Sequence, residues 1–183
     1  MKKSRFLEIS SQLDLPFLET NRELIQKIFE TLKLRFGLIK YSNQKLIDLG
    51  SGNGQIILYS ALNYGIKSIG IEINQDLIKE AKRNMKLLKK QKMYQDKLFR
   101  KIKFIHGDFH EIDMRDFDFI YIYSLPTMQQ YLNHVFLTAR NKSVIISHKY
   151  PLNGFESFVK LEYELKSEIK DQIISTFYYE KFE

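Results

Sequence analysis

The sequence predicts an α/β fold: a doubly wound, Rossmann-like, mostly parallel seven-stranded sheet that ends in a C-terminal antiparallel β-hairpin. Three observations predict it. Short apolar runs alternate five times with amphipathic stretches, as βα units around a parallel sheet do. A glycine-rich turn, Gly50-Ser-Gly-Asn-Gly54, follows the first of those runs directly. From Phe158 onward the helical periodicity stops, and two alternating stretches take its place.

The elements follow in order. Thr20-Asn-Arg-Glu23 has capping-box spacing, so a helix is expected to start there. Ile25, Ile28, Phe29, Leu32 and Phe36 then recur at helical spacing, and Gly37 ends the run. Lys45-Leu-Ile-Asp-Leu49 is the first strand, and Ile56 to Tyr64, closed by Gly65, reads as a helix. Ser68 to Ile73 is the second strand. Asn74 caps a helix from about 75 to 95, with Leu77, Ile78, Ala81, Met85 and Leu88 as its buried stripe. Ile102 to Ile105 is the third strand and Phe117 to Tyr123 the fourth. Met128, Tyr131, Leu132 and Val135 mark a helix, and Ser143 to Ile146 the fifth strand. Phe158 to Leu165 and Ile173 to Phe182 form the hairpin. One domain is expected over 1–183, with an N-terminal helical segment at 1–40 and a Rossmann-like core at 45–183.

Composition narrows the class. The 183 residues are 44% hydrophobic, too apolar for a disordered chain. There is no Cys, which excludes disulfides, a thiolate nucleophile and a Cys-based zinc site, and suits an intracellular, cytoplasmic protein. The apolar runs fall far short of the ~20 residues that span a bilayer, so no membrane span is expected. Glu8 and Asp14 interrupt the basic N-terminus before an apolar stretch forms, so no signal peptide is expected either. The net charge of +7 is unevenly placed. Residues 79–103 hold eleven basic and two acidic side chains, a local +9, leaving −2 for the rest. Such a patch suits nucleic acid or an acidic protein surface, or is a solvated helix face in a lysine-rich composition.

The ligand crevice of a doubly wound sheet lies at the carboxyl ends of its strands, and the chemistry-bearing residues gather there. Asp48-Leu-Gly50-Ser-Gly52-Asn-Gly54 follows the first strand, where glycines let backbone approach a ligand and a helix N-terminus offers free N–H groups. A dinucleotide fingerprint beginning at Gly50 would need Gly where Gln55 stands, and no phosphate-loop Gly-Lys-Ser/Thr is present. Glu72 ends the second strand, suited to the two hydroxyls of a ribose. Asp108, in Ile105-His-Gly-Asp-Phe-His110, can accept from an adenine amino group while Phe109 or Ile73 packs on the ring. His106 and His110 straddle a strand-to-loop junction without further ligands, so no metal is expected.

On these residues the sequence resembles the class I S-adenosylmethionine-dependent methyltransferases over roughly residues 16–148. Asp48 to Gly54 matches their first motif, Glu72 the acid of the second, and Gly107-Asp108 the adenine-side motif. The resemblance implies S-adenosylmethionine as cofactor. Gly50, Gly52 and Gly54 then lie beside its methionine part, Glu72 on the ribose and Asp108 on the adenine. Thr20, Asp48, Ser51, Gln55, Ile73, Asn74 and Phe109 complete the implied cofactor contacts. The fourth strand ends in Tyr123-Ser-Leu-Pro126, unlike the Asn/Asp-Pro-Pro-Tyr of adenine and glutamine methyltransferases.

The sequence is similar to a narrower group, the archaeal broad-specificity protein-lysine methyltransferases and their mitochondrial relatives that modify an ATP synthase subunit. Pro16-Phe-Leu-Glu-Thr20, Asp48 to Ile56, Ile69 to Asn74, Ile122 to Pro126 and Ser147 to Phe155 carry that likeness. Asn53 stands where the group often has an acid, and Gln55 where Arg is usual. The implied acceptor is a protein lysine, and a monomer is expected. Its amine, with a pKa of about 10.4, must lose a proton before it attacks, and an aromatic, poorly hydrated pocket favours that loss. Tyr123, Ser124 and Tyr150 are the candidate catalytic residues, with Phe17 and Tyr121 behind them, Tyr121 reading rather as sheet packing, and with His148 as either a base or a packed turn residue. Two other readings remain: an RNA or nucleic-acid methyltransferase that uses the 79–103 segment, and a cofactor-binding module without transferase activity.

Overall fold

The computed structural model describes residues 21–169 and 171–182. The segment Pro16 to Thr20, and with it the expected contacts of Phe17 and Thr20, lies outside the described residues. Helix α1 spans Arg22–Arg35, and its cap is Asn21, whose side chain accepts from the Glu23 amide at 2.8 Å. The expected capping box began one residue earlier, at Thr20. Both residue types can cap, and the extended backbone of Asn21 selects it.

Strands β1 (Lys45–Leu49), β2 (Lys67–Glu72), β3 (Ile102–His106), β4 (Phe119–Ile122) and β5 (Val144–His148) run parallel. The hairpin strands β6 (Val159–Ile169) and β7 (Gln172–Lys181) complete one seven-stranded sheet of order β3-β2-β1-β4-β5-β7-β6. β7 pairs antiparallel with both β5 and β6. The fold is therefore the doubly wound, mostly parallel sheet with a terminal hairpin that the alternation predicts.

Between the strands lie α2 (Gln55–Tyr59), which continues as a π-turn over Ser60–Tyr64, α3 (Gln75–Lys90), α4 (Asp96–Phe99), α5 (Pro126–Gln129) and α6 (Asn133–Leu137). The expected helix at 75–95 ends earlier, at Lys90, because Lys92 takes a left-handed φ of 54°. Two short helices replace the single one expected around Met128 to Val135.

Alternate residues of each strand feed two cores. Leu46, Phe119, Tyr121, Ile146 and Tyr178 pack with Leu24, Ile28 and Phe29 of α1 on one face. Ile47, Ile120, Ile145 and Tyr179 pack with Val135, Phe136 and Phe155 on the other. Tyr178 locks the hairpin to α1: its ring stacks on Phe36 at 5.0 Å and its hydroxyl donates to the Ile28 carbonyl. Among the described residues no helix is long and apolar enough to cross a membrane.

Candidate active site

The order of strands reverses between β1 and β4, since the chain builds outward from β1 through β2 to β3 and then restarts on its other side. A crevice opens at such a switch point, beyond the carboxyl ends of the two strands. The glycine turn leaves β1 on one side of it, and Tyr123-Ser124 leaves β4 on the other.

The turn is tightly made. Gly50, Gly52 and Gly54 all take positive φ, which their lack of Cβ permits. The Gly50 and Ser51 amides both donate to the Ile71 carbonyl at 2.9 Å, tying the turn to β2. Gly54 is the N-cap of α2, and a Cβ there would lie 2.6 Å from the Phe104 ring. Ser51 Oγ turns beneath the loop without a hydrogen-bond partner, where a Cβ on Gly70 would sit 2.6 Å from it. Beside Gly50, by contrast, a Cβ would meet nothing within 4 Å. Gln55 is half-buried at the first position of α2.

The two carboxylates beneath the turn behave differently. Glu72, buried at the end of β2, accepts from the Gly52 amide through Oε2 at 3.0 Å and from the Asn74 amide through Oε1 at 2.9 Å. Asp48 is buried, and burial together with the nearby Glu72 charge pushes its pKa well above the ordinary value. Asn74 caps α3 by accepting from the Asp76 and Leu77 amides, and Ile73 stands exposed beside it. At the end of β3, Asp108 Oδ1 accepts from the His110 amide at 2.9 Å and meets His110 Nδ1 at 2.7 Å. Asp108 is thus the cap of a short turn, with Phe109 stacked on His110 at 4.5 Å.

On the far side the lining is aromatic. Tyr123 meets the edge of His148 at a centroid distance of 4.8 Å and lies 6.4 Å from Tyr150. Ser124 is half-buried and its hydroxyl donates to the Leu125 carbonyl. Tyr121 belongs to the core on the α1 face. His148 is buried, its Nδ1 is 2.9 Å from Thr176 Oγ1 of β7, and burial with the Lys149 charge holds its pKa at about 4. A ring so reluctant to take a proton fits the candidate-base role poorly, and His148 packs against the Tyr123 ring. Its partner, 28 residues onward, could be found only by pairing β5 with β7.

His106 lies near the Ile73 carbonyl rather than His110, and no cluster of three or more metal-ligating side chains occurs among the described residues. The basic helix α3 touches the turn: Asn84 donates to the Asn53 carbonyl at 3.3 Å.

A switch-point crevice with a glycine turn on one side and an acid at the end of β2 is the build of a class I S-adenosylmethionine-dependent methyltransferase. The family model of the ANTKMT methyltransferase domain matches residues 48–158, and the chain belongs to that family. It is an enzyme that uses S-adenosylmethionine. A protein-lysine N-methyltransferase of Saccharolobus islandicus (strain REY15A) is 22% identical over 152 residues, which cover 81% of this chain and 86% of that one. An RNA methyltransferase of Salinibacter ruber, solved with S-adenosyl-L-homocysteine, superposes with a TM-score of 0.74 at 22% identity, covering 91% of this chain and 95% of its own. A magnesium protoporphyrin IX methyltransferase of Synechocystis PCC 6803 gives a TM-score of 0.67 at 11% identity, covering 91% of this chain and 86% of its own. At such identities the two structures share the fold.

Proposed function

We propose that the chain transfers methyl groups to the ε-amines of protein lysines. The observation that carries this is the aromatic wall of Tyr123 and Tyr150 over a neutral His148 at the ends of β4 and β5. The protein-lysine N-methyltransferase named among its relatives supports the same acceptor.

The donor set fits S-adenosylmethionine, which supplies an electrophilic methyl group on a sulfonium. Each oxygen of Glu72 accepts one backbone N–H and keeps a lone pair, which suits the two ribose hydroxyls. The open space beside Gly50 admits a ligand against the backbone, so the methionine part lies along Gly50, Gly52, Gly54 and Gln55. Asp108 takes the adenine amino group through the oxygen left free by His110, between Phe109 and Ile73. Asn74 aids Glu72 through its amide, Ser51 acts by filling the space over Gly70, and Thr20 remains a proposed contact from the N-terminal segment.

The chain's own part in transfer is to orient and dehydrate. An amine must be held ~3–3.5 Å from the reacting carbon, in line with the breaking bond. Burial pushes the Tyr123 phenol up, so its O–H stays intact near neutrality and can steer the amine. A wall of rings disfavours the ammonium and so promotes the neutral nucleophile. Ser124 carries the backbone that places Tyr123.

A second reading, transfer to RNA, is favoured by the exposed cations of α3 and the segment after it. Methyl-labelled S-adenosylmethionine given to the purified chain with cellular protein and RNA separates the two. Label recovered as methyl-lysine after protein hydrolysis is the expected result. Label confined to nucleosides would overturn it.

A further inference from the structure

Lys149 follows β5 directly and carries a backbone φ of 69°. That left-handed conformation is uncommon for a residue with a Cβ. The Lys149 amide donates to the Ser175 carbonyl of β7 at 2.8 Å, which ties this turn to the hairpin. The side chain turns back over the aromatic wall. Its ammonium stands near enough to the Tyr123 hydroxyl to oppose the effect of burial on that phenol, and 5.6 Å from the centre of the Tyr150 ring.

The groups around it leave its charge uncompensated. Tyr123 faces it from the end of β4, Tyr150 from its own segment, and His148 from beneath, neutral near pH 7. On β7, Ser175 and Thr176 are uncharged, and Glu164 on β6 is engaged with Ser175 and Lys166. None of the ion pairs among the described residues includes Lys149.

We infer that Lys149 is a positioning residue of the transfer reaction: its ammonium, held at the wall of Tyr123 and Tyr150, makes the acceptor slot select the neutral amine over the protonated one. This rests on the lysine reading of the site. Transfer needs the nitrogen lone pair. The N–C bond forms as the S–C bond breaks, sulfur keeps the electron pair and becomes a neutral thioether, and a proton of the new secondary ammonium passes to water. A fixed cation a few ångströms from the incoming nitrogen disfavours its protonated form. The same charge hinders an acceptor that arrives as a cation, so the benefit appears in turnover rather than in binding.

The test is the pH dependence of kcat on a lysine-bearing peptide, because kcat reports ionisations of the bound complex. For Lys149→Met the rising limb should move about one pH unit to the alkaline side, and kcat near pH 7 should fall roughly tenfold. Lys149→Arg should restore the limb, and high salt should move the wild-type limb towards that of Lys149→Met. Calorimetric cofactor affinity equal to wild type shows that Lys149→Met is folded. A Lys149→Met profile with its limb unmoved, whatever its height, would overturn the inference and leave the lysine reading intact. Wild-type protein that labels RNA and no lysine at any pH would remove the reading beneath it.

Discussion

The two banks of the crevice are built on opposite principles. On the β1–β3 bank, backbone does the work: Glu72 is held by the Gly52 and Asn74 amides, Asp108 by the His110 amide, and the glycine turn by the Ile71 carbonyl. On the β4–β5 bank, side chains from three strands converge: Tyr123, His148 and Thr176, with Tyr150 and Lys149 behind them. The first bank is tied together by backbone hydrogen bonds, which suits an invariant cofactor. The second is a set of rings whose chemistry changes with each substitution, which suits the choice of acceptor.

The largest expected effect breaks the first bank. Gly54→Val places side-chain carbon 2.6 Å from the Phe104 ring at a φ of 85°. Strain and overpacking should cost roughly 2–4 kcal/mol in denaturant unfolding and abolish cofactor binding. Wild-type affinity in that variant would mean the turn is not preorganised.

Next comes the second bank in acid. His148 titrates at about 4 in the fold against 6.5 outside it. A depressed pKa means its contribution is complete above 6.5 and is lost as pH falls through 4. Wild-type stability should therefore drop by about 2–3 kcal/mol over that window. His148→Gln should flatten the drop, as followed by thermal melting at stepped pH.

Asp48 gives the opposite sign on the first bank. Its raised pKa makes its contribution complete below the ordinary 3.8 and lost as pH rises through the higher native value. Asp48→Asn should accordingly melt higher than wild type near neutral pH while binding cofactor more weakly. A variant less stable at neutral pH would show that the carboxylate is held ionised.

The smallest effect belongs to neither bank. Exposed Lys82→Glu with Lys86→Glu on α3 should leave stability and cofactor affinity within about 0.5 kcal/mol of wild type. A loss of labelling on acidic proteins alone would make that helix a docking face, and a steep loss on RNA would favour the second reading.

The difference between the banks also explains what the sequence made legible. Apolar runs that break into Gly50, Glu72 and Gly107-Asp108 reveal strand ends, because β-strands stop where backbone must turn. The first bank is written in such breaks. Its details were hidden where only packing decides, as with Ser51 under the loop because Gly70 leaves room. Elsewhere the cap of α1 fell to Asn21 rather than Thr20 because both residue types can cap. The second bank depends on which strand lies beside β5. His148 could be read from sequence as a base or as a packed turn residue, and only the pairing of β7 with β5 brings Thr176 to it and buries it. Lys149 gave no signal at all, since its partner, the Ser175 carbonyl, lies across the sheet.

The division of labour is tested most directly by measuring cofactor Kd by calorimetry and kcat by label transfer to a lysine peptide, for Glu72→Ala and Tyr123→Phe together. Removing the buried acceptor of two amides should raise Kd roughly 10- to 100-fold in Glu72→Ala. Tyr123→Phe should leave Kd at its wild-type value and lower kcat roughly tenfold. Equal losses of Kd and kcat in both variants would contradict the account, because the two banks would then be one site with one task.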